Sequence, residues 1–213
     1  MEIEVLKFAR RAVLPLVAVT LTACSTMSRP ECEVSDWHSV GFEDGARGAS
    51  VARIGDYRKA CSKYNVSPDL DAYRSGYAQG VETYCREANG FKVGSGGGVY
   101  GGICPAEIEE GFLTGYRDGR HLYELNAAVS AVSGQISGKR HALHEVKETL
   151  SVKEAALLDK NTADSDRVLL AKDIYELGRR QGALESDISS LERELGARQA
   201  ELGRFRESLA YNR

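Results

Sequence analysis

The chain has 213 residues, 28 of them basic and 31 acidic, for a net charge of −3. That balance is unsuited to a general nucleic-acid binder, which needs a cationic surface. Its five cysteines include no C-x-x-C pair, which excludes the usual spacing of a zinc site.

Residues 1–23 carry Lys7, Arg10 and Arg11 ahead of an apolar run from Ala12 to Ala23. At 12 residues the run is too short to cross a bilayer core of about 30 Å as a helix. A basic start, a short apolar middle and small residues at the end make a signal-peptide layout. The run closes on Leu21-Thr22-Ala23-Cys24. These four residues resemble the lipobox of bacterial lipoproteins, in which the cysteine is lipidated and everything before it is removed. The resemblance implies lipidation of Cys24, a signal peptide over 1–23 and a tether over 24–31. The next residue is Ser25, not the Asp that resembles an inner-membrane retention signal. The expected place is therefore the outer membrane, lipid-anchored and facing the periplasm. Acyl chains anchor at ~0.8 kcal/mol for each buried CH₂.

Four further cysteines follow: Cys32, Cys61, Cys85 and Cys104. An even number in an exported domain reads as two disulfides. Three pairings are possible; Cys32–Cys61 and Cys85–Cys104 are expected, the first tying the ends of an opening helical hairpin, the second closing a glycine-rich loop. All four lie in the first half of the mature chain, where a small domain gains most from cross-links.

Residues 32–121 read as a helical head. Gly41-Phe42-Glu43-Asp44-Gly45 is echoed by Gly76-Tyr77-Ala78-Gln79-Gly80 and by Gly111-Phe112-Leu113-Thr114-Gly115, the first glycines 35 residues apart each time. The last copy overlaps Gly115-Tyr116-Arg117-Asp118-Gly119. Glycines at i and i+4 share one helix face. Each costs ~1 kcal/mol against Ala within a helix, so a close neighbour must offset them. A packed helix is expected there, with a ligand on the glycine–aromatic face as the alternative. Between the first two copies, Ser50 to Lys63 predicts a helix with Val51, Ile54, Tyr57 and Cys61 inward. Ser67-Pro68-Asp69 predicts the start of the next helix, with a capping Ser. After Cys85, the β-prone pieces Phe91–Val93 and Val99–Tyr100 flank a glycine tip, which predicts a small hairpin or loop. It lacks the Gly-Lys-Ser/Thr ending of a phosphate loop.

Taken in order, Trp37-x-x-x-Gly41-x-x-Asp44-Gly45, Cys61, Pro68-Asp69-x-x-x-Tyr73-x-x-Gly76-x-x-x-Gly80, Tyr84-Cys85, the glycine stretch, Cys104-Pro105 and Gly111 to Gly119 resemble a bacterial lipoprotein family catalogued as domain of unknown function 2799. The resemblance covers roughly residues 30–125. It implies an envelope location and lipoprotein character, and it brings no reaction, substrate or catalytic residue.

Residues 122–213 lack Cys and Pro. Leu122, Leu125, Val129, Val132, Ile136, Lys139, Leu143, Val146, Leu150, Lys153 and Leu157 alternate steps of three and four. Leu170, Ile174, Leu177, Gln181, Leu184, Ile188, Leu191, Leu195, Arg198, Leu202, Phe205 and Leu209 do the same. These are coiled-coil seams. The polar interval 159–165 breaks the phase and predicts a fold-back. The expected fold is all-α: a disulfide-stapled helical head with a glycine-rich loop, then a long antiparallel coiled-coil hairpin.

His38, His121, His141 and His144 form no motif with a nucleophile. Asp44 and Asp118 occupy the same place in their copies and are expected to cap or to pair with neighbouring helices. No catalytic residue, metal or cofactor is assigned, and the chain is read as a non-enzyme. The function expected is an envelope structural or interaction module, bound to the membrane by its N-terminal lipid and to an envelope protein or cell-wall partner, with a homodimer through the coiled coil open. The alternatives are a periplasmic ligand-binding sensor and a cell-wall enzyme.

Overall fold

The structure, a computed structural model, describes residues 27–211. The expected signal peptide and Cys24 lie outside them. Every regular element among the described residues is helical. The helices are α1 (Arg29–Val34), α2 (Trp37–Ala46), α3 (Ile54–Ser62), α4 (Leu70–Tyr84), α5 (Glu87–Ser95), α6 (Ala106–Leu158) and α7 (Asp164–Tyr211), with a 3-10 turn at Val51–Arg53 before α3.

Local chemistry sets the helix starts. At α1 the Glu31 carboxylate accepts from the Ser28 backbone N–H at 2.6 Å and from its hydroxyl at 2.7 Å, and Pro30 sits in the first turn. Asp36 caps α2 by accepting from the His38 N–H. The expected start of α4 at Ser67 moves inward: Asp69 is the cap, accepting from the N–H groups of Asp71 and Ala72 at 3.0 Å. A carboxylate caps the open backbone N–H groups at least as well as a hydroxyl.

The head is two helix pairs, α2 with α4 and α5 with α6. Each has its own core and its own disulfide. Cys32–Cys61 joins the start of the head to the end of α3, among Trp37 and Tyr73. Cys85–Cys104 joins the end of α4 to the entry of α6, among Val81, Tyr84 and Phe112. They close loops of 29 and 19 residues, and chain entropy assigns each about 3–4 kcal/mol. α3 turns Ile54, Tyr57, Ala60 and Cys61 inward, whereas Val51, expected inside, is exposed at the 3-10 turn.

The expected hairpin at Phe91–Val93 is a helix instead. These residues lie in the middle of α5, and the following 96–105 is the only loop of the region. Helix α6 then runs 53 residues without interruption from the head into the first arm, about 80 Å at 1.5 Å per residue. The chain turns at residues 159–163, and α7 returns along α6.

Candidate functional site

The first pair is a crossing of two glycine faces. A Cβ on Gly41 would stand inside contact distance of the Tyr73 carbonyl oxygen, and one on Gly45 would meet that of Tyr77. In return, Cβ atoms on Gly76 and Gly80 would meet the carbonyl oxygens of His38 and Phe42. Backbone therefore lies on backbone, and only glycine permits it. The approach brings Tyr73 and Tyr77 into the core, stacked 6.2 Å apart. Phe42, whose backbone takes part in the crossing, keeps its ring at the surface, 39% exposed.

The second pair repeats this geometry. Gly90 meets Phe112, Gly94 meets Tyr116, Gly115 meets Glu87 and Gly119 meets Phe91, again at the carbonyl oxygen. The correspondence extends outward. The Tyr77 hydroxyl donates to the Ala49 carbonyl at 2.7 Å, and the Tyr116 hydroxyl to that of Gly98 at 3.1 Å. Gly48 and Gly97 both hold positive φ, 78° and 75°. Each lies under a tyrosine ring, Tyr84 and Tyr123 respectively. Tyr73 and Phe112 are counterparts, as are Tyr77 and Tyr116; the latter ring also stacks on its Phe112 neighbour at 6.2 Å. The head is thus one helix-pair motif built twice.

This changes the reading of the repeat. The 35-residue step from Gly41 to Gly76 leads from the first helix of a pair to its second, not from unit to unit. Gly111 packs nothing: a Cβ there would meet no atom within 4 Å. The true fourth copy is Gly90-Phe91-Lys92-Val93-Gly94, which completes a set of four Gly-aromatic-x-x-Gly motifs. Likewise Asp44 matches Val93 in the other pair, not Asp118, which lies on the opposite partner helix.

Asp44 is the one fully buried charged side chain among the described residues. Its carboxylate accepts from the Tyr73 hydroxyl at 2.9 Å, from the Tyr57 hydroxyl at 3.3 Å and from Arg47 Nη2 at 2.8 Å. Arg53 Nε lies 3.4 Å away and also donates to the Tyr57 oxygen at 2.8 Å. Burial, then the bond to Asp44, pushes the Tyr73 phenol well above the usual tyrosine range. Burial raises Tyr57, Tyr77, Tyr84 and Tyr100 as well. A buried carboxylate with this many donors is compensated.

In the hairpin, every expected seam residue except Arg198 is buried or half-buried. Charged pairs fix the register: Lys139 with Asp187 at 2.6 Å, Arg140 with Glu192 at 2.6 Å, Lys147 with Glu185 at 3.1 Å and Lys153 with Asp173 at 2.6 Å. The two residue numbers in each pair add to between 326 and 332, as an antiparallel pairing requires. Near the head the His121 ring meets Phe205 edge-on at 4.5 Å, and Arg206 donates to Asn126. At the far end Arg167 closes the turn. Its guanidinium donates to the carbonyls of Leu157 and Asp159, left open at the end of α6, and to that of Thr162 within the turn.

His141 and His144 are exposed, each beside an acid one turn on, Glu145 at 3.6 Å and Glu148 at 3.4 Å. Among the described residues no group of three or more His, Cys, Asp or Glu is placed to hold a metal. One surface hollow lies between the arms beside Lys153, Asp173 and Leu177, and another beside the Cys85–Cys104 bridge. Exposed apolar side chains gather instead at the outer end of the hairpin, at Val152, Leu158, Val168, Leu169 and Tyr175. Sequence patterning singled out neither this group nor Arg167. Its one available signal was apolar residues off the seam phase.

No described helix is long and apolar enough to cross a membrane. No curated protein and no solved structure gives a significant match to the chain. The stretch that does match a family begins at the capping residue of α2, includes both glycine crossings and stops at His121, where α6 leaves the head. Residues 36–121 match the family model described as protein of unknown function (DUF2799).

Proposed function

We propose that this protein is a lipid-anchored module of the outer membrane, facing the periplasm, whose hairpin docks an envelope protein or the cell wall. The observation that carries the reading is the exposed apolar group at the hairpin's outer end, Val152, Leu158, Val168, Leu169 and Tyr175. In the antiparallel register Val168 lies level with Leu158, and Tyr175 level with Val152. Exposed apolar side chains gathered at one end of an otherwise charged rod suit an interaction site, and an exposed tyrosine is a typical anchor.

The leader ending in Cys24 supports the anchor. Two disulfides suit an oxidising compartment. A ligand on the glycine faces would have to displace a helix from each crossing, which weakens the sensor alternative. A homodimer through the coiled coil would have to use the outer faces, because the seam is spent within the chain. No enzymatic activity is proposed.

Photo-crosslinking in intact cells tests the docking. A photoreactive residue at Val168 or Tyr175 should give a discrete adduct, and the same residue at Gln199 should not. Adducts that are absent at the tip, or equal at both places, would remove the basis for the reading. Mass spectrometry of membrane-extracted protein tests the anchor: the chain should begin at an acylated Cys24.

A further inference from the structure

We infer that the outer face of α3 seats on an anionic phospholipid surface. The inference deepens the proposed anchoring and rests on it for the position of Cys24.

Charge is unevenly placed along this chain. Residues 47–63 hold Arg47, Arg53, Arg58, Lys59 and Lys63 against the single acid Asp56. Residues 64–121 hold five basic and eight acidic residues, and residues 122–213 hold 14 and 15. Among the described residues the one strongly cationic segment is therefore α3 and its approach. Two of its cations are turned to the buried Asp44 carboxylate, Arg47 and Arg53. The other three face outward. Ile54, Tyr57, Ala60 and Cys61 take the inner side of α3, which leaves Arg58, Lys59, Ser62 and Lys63 exposed. Among the described residues none of Arg58, Lys59 and Lys63 has an acidic partner within 4.0 Å. Lys63 lies over the Tyr64 ring at 4.8 Å, and Arg29 approaches the same ring at 5.4 Å. Arg29 also pairs weakly with Glu33, at 3.8 Å on the surface.

The anchor falls at this same place. Met27 packs on the cluster around Cys32, Cys61 and Trp37, with Tyr64 in the same group. Cys24 is three residues before Met27, so a fully extended tether reaches only about 10 Å. That is close to the screening length at physiological salt, about 8 Å. An acylated Cys24 would hold the unpaired cations of α3 where the field of anionic headgroups is felt. The Cys32–Cys61 bridge fastens the incoming chain to the end of α3 and fixes that relation. The acyl chains supply the attachment, and the basic face sets which side of the head lies down.

The test uses the lipid-bearing protein in vesicles of neutral phosphatidylcholine, with or without anionic phosphatidylglycerol. Trp37 is the sole tryptophan and lies in the cluster behind α3. Energy transfer from it to a headgroup dye should rise on the anionic vesicles. It should fall back in high salt and in the triple variant Arg58→Gln, Lys59→Gln, Lys63→Gln. Unchanged Trp37 emission in that variant reports an intact fold. The full chain carrying Cys24→Ser is floated with the same vesicles in parallel. Its preference for anionic over neutral vesicles should drop about fivefold for each cation removed. Acylated protein that gives equal transfer on both vesicles would overturn the inference and leave the anchor standing. Protein without acyl chains would sink the anchor reading, and flotation then decides the basic face alone: no preference for anionic vesicles ends it. Retention of the wild type by a nucleic acid or an acidic peptide at a salt where vesicle binding is lost also overturns it.

Discussion

The Tyr73 hydroxyl donates to Asp44 Oδ2 at 2.9 Å inside the first glycine crossing, and in the second crossing the same two positions hold Phe112 and Val93. Val93 packs on the cluster in which Phe112 is fully buried. The molecule thus contains a polar and an apolar solution to one packing problem. Asp44→Val alone should cost about 1–3 kcal/mol, because it strands the buried Tyr73 hydroxyl. Tyr73→Phe alone should cost a similar or smaller amount, since Asp44 keeps its other donors. The double variant, which copies the second pair, should recover to within about 1 kcal/mol of the wild type. Urea unfolding followed by Trp37 fluorescence reads the cycle; strictly additive losses would show that the two pairs are not interchangeable.

Glycine substitutions should divide by place. Gly41→Ala or Gly76→Ala would drive a Cβ into a facing carbonyl and should cost at least about 3 kcal/mol. Gly134→Ala and Gly178→Ala meet nothing within 4 Å and should stabilise the hairpin by roughly 0.5–1 kcal/mol. Gly111→Ala belongs with the second group, although its sequence neighbours belong to the first. Thermal unfolding of the five variants separates the classes.

Alkaline pH should loosen the head. Tyr73 titrates above its ordinary value because of burial and then its bond to Asp44, and burial raises Tyr57, Tyr77, Tyr84 and Tyr100. A phenol with a raised folded pKa keeps its proton after the unfolded chain has lost it. The unfolded state then binds fewer protons, so stability is complete below about pH 10 and falls above it. Trp37 fluorescence across an alkaline titration should show this loss, and Tyr73→Phe should make it shallower.

Arg167 is the clamp on the turn. Removing its three bonds to the end of α6 and the turn in Arg167→Ala should cost about 1–2 kcal/mol, discounted for partial exposure. Spin labels at Glu148 and Lys172 report the result. They should lie roughly 20 Å apart in the wild type, from the register and a helix separation near 10 Å. The variant should broaden the distribution. A sharp distance of about 36 Å would instead mean one unbroken helix over those 24 residues.

The hairpin was legible because its seam is a property of local periodicity: Leu125, Val129, Val132 and Ile136, and then Leu143, Val146 and Leu150, repeat every three or four residues, and the polar interval after Leu158 stops them. The head was legible in part. Glycine at i and i+4 announced close helix packing at Gly41, Gly45, Gly76, Gly80, Gly115 and Gly119. Helix α5 was hidden because its own residues argue against it. Gly90, Phe91, Val93 and Gly94 are poor helix formers, and the crossing with α6 overrides them. The signal that would have recovered it is Gly90-Phe91-Lys92-Val93-Gly94 itself, a literal match to the other three motifs. The roles of Asp44 and Arg167 depend on partners 29 residues away at Tyr73 and ten away at Leu157, and no spacing rule points to either.

The continuity of α6 gives the protein a mechanical character. One helix is both half of the second crossing and half of the hairpin, with no joint between them at residues 121–122. A load applied near Val168 or Tyr175 has no hinge in which to dissipate. It travels down a lever of about 55 Å from Leu158 to residue 122 and arrives at Gly115 and Gly119 as shear between two touching backbones. The Cys85–Cys104 bridge lies immediately upstream of α6, where it would keep that lever from being pulled out of its socket.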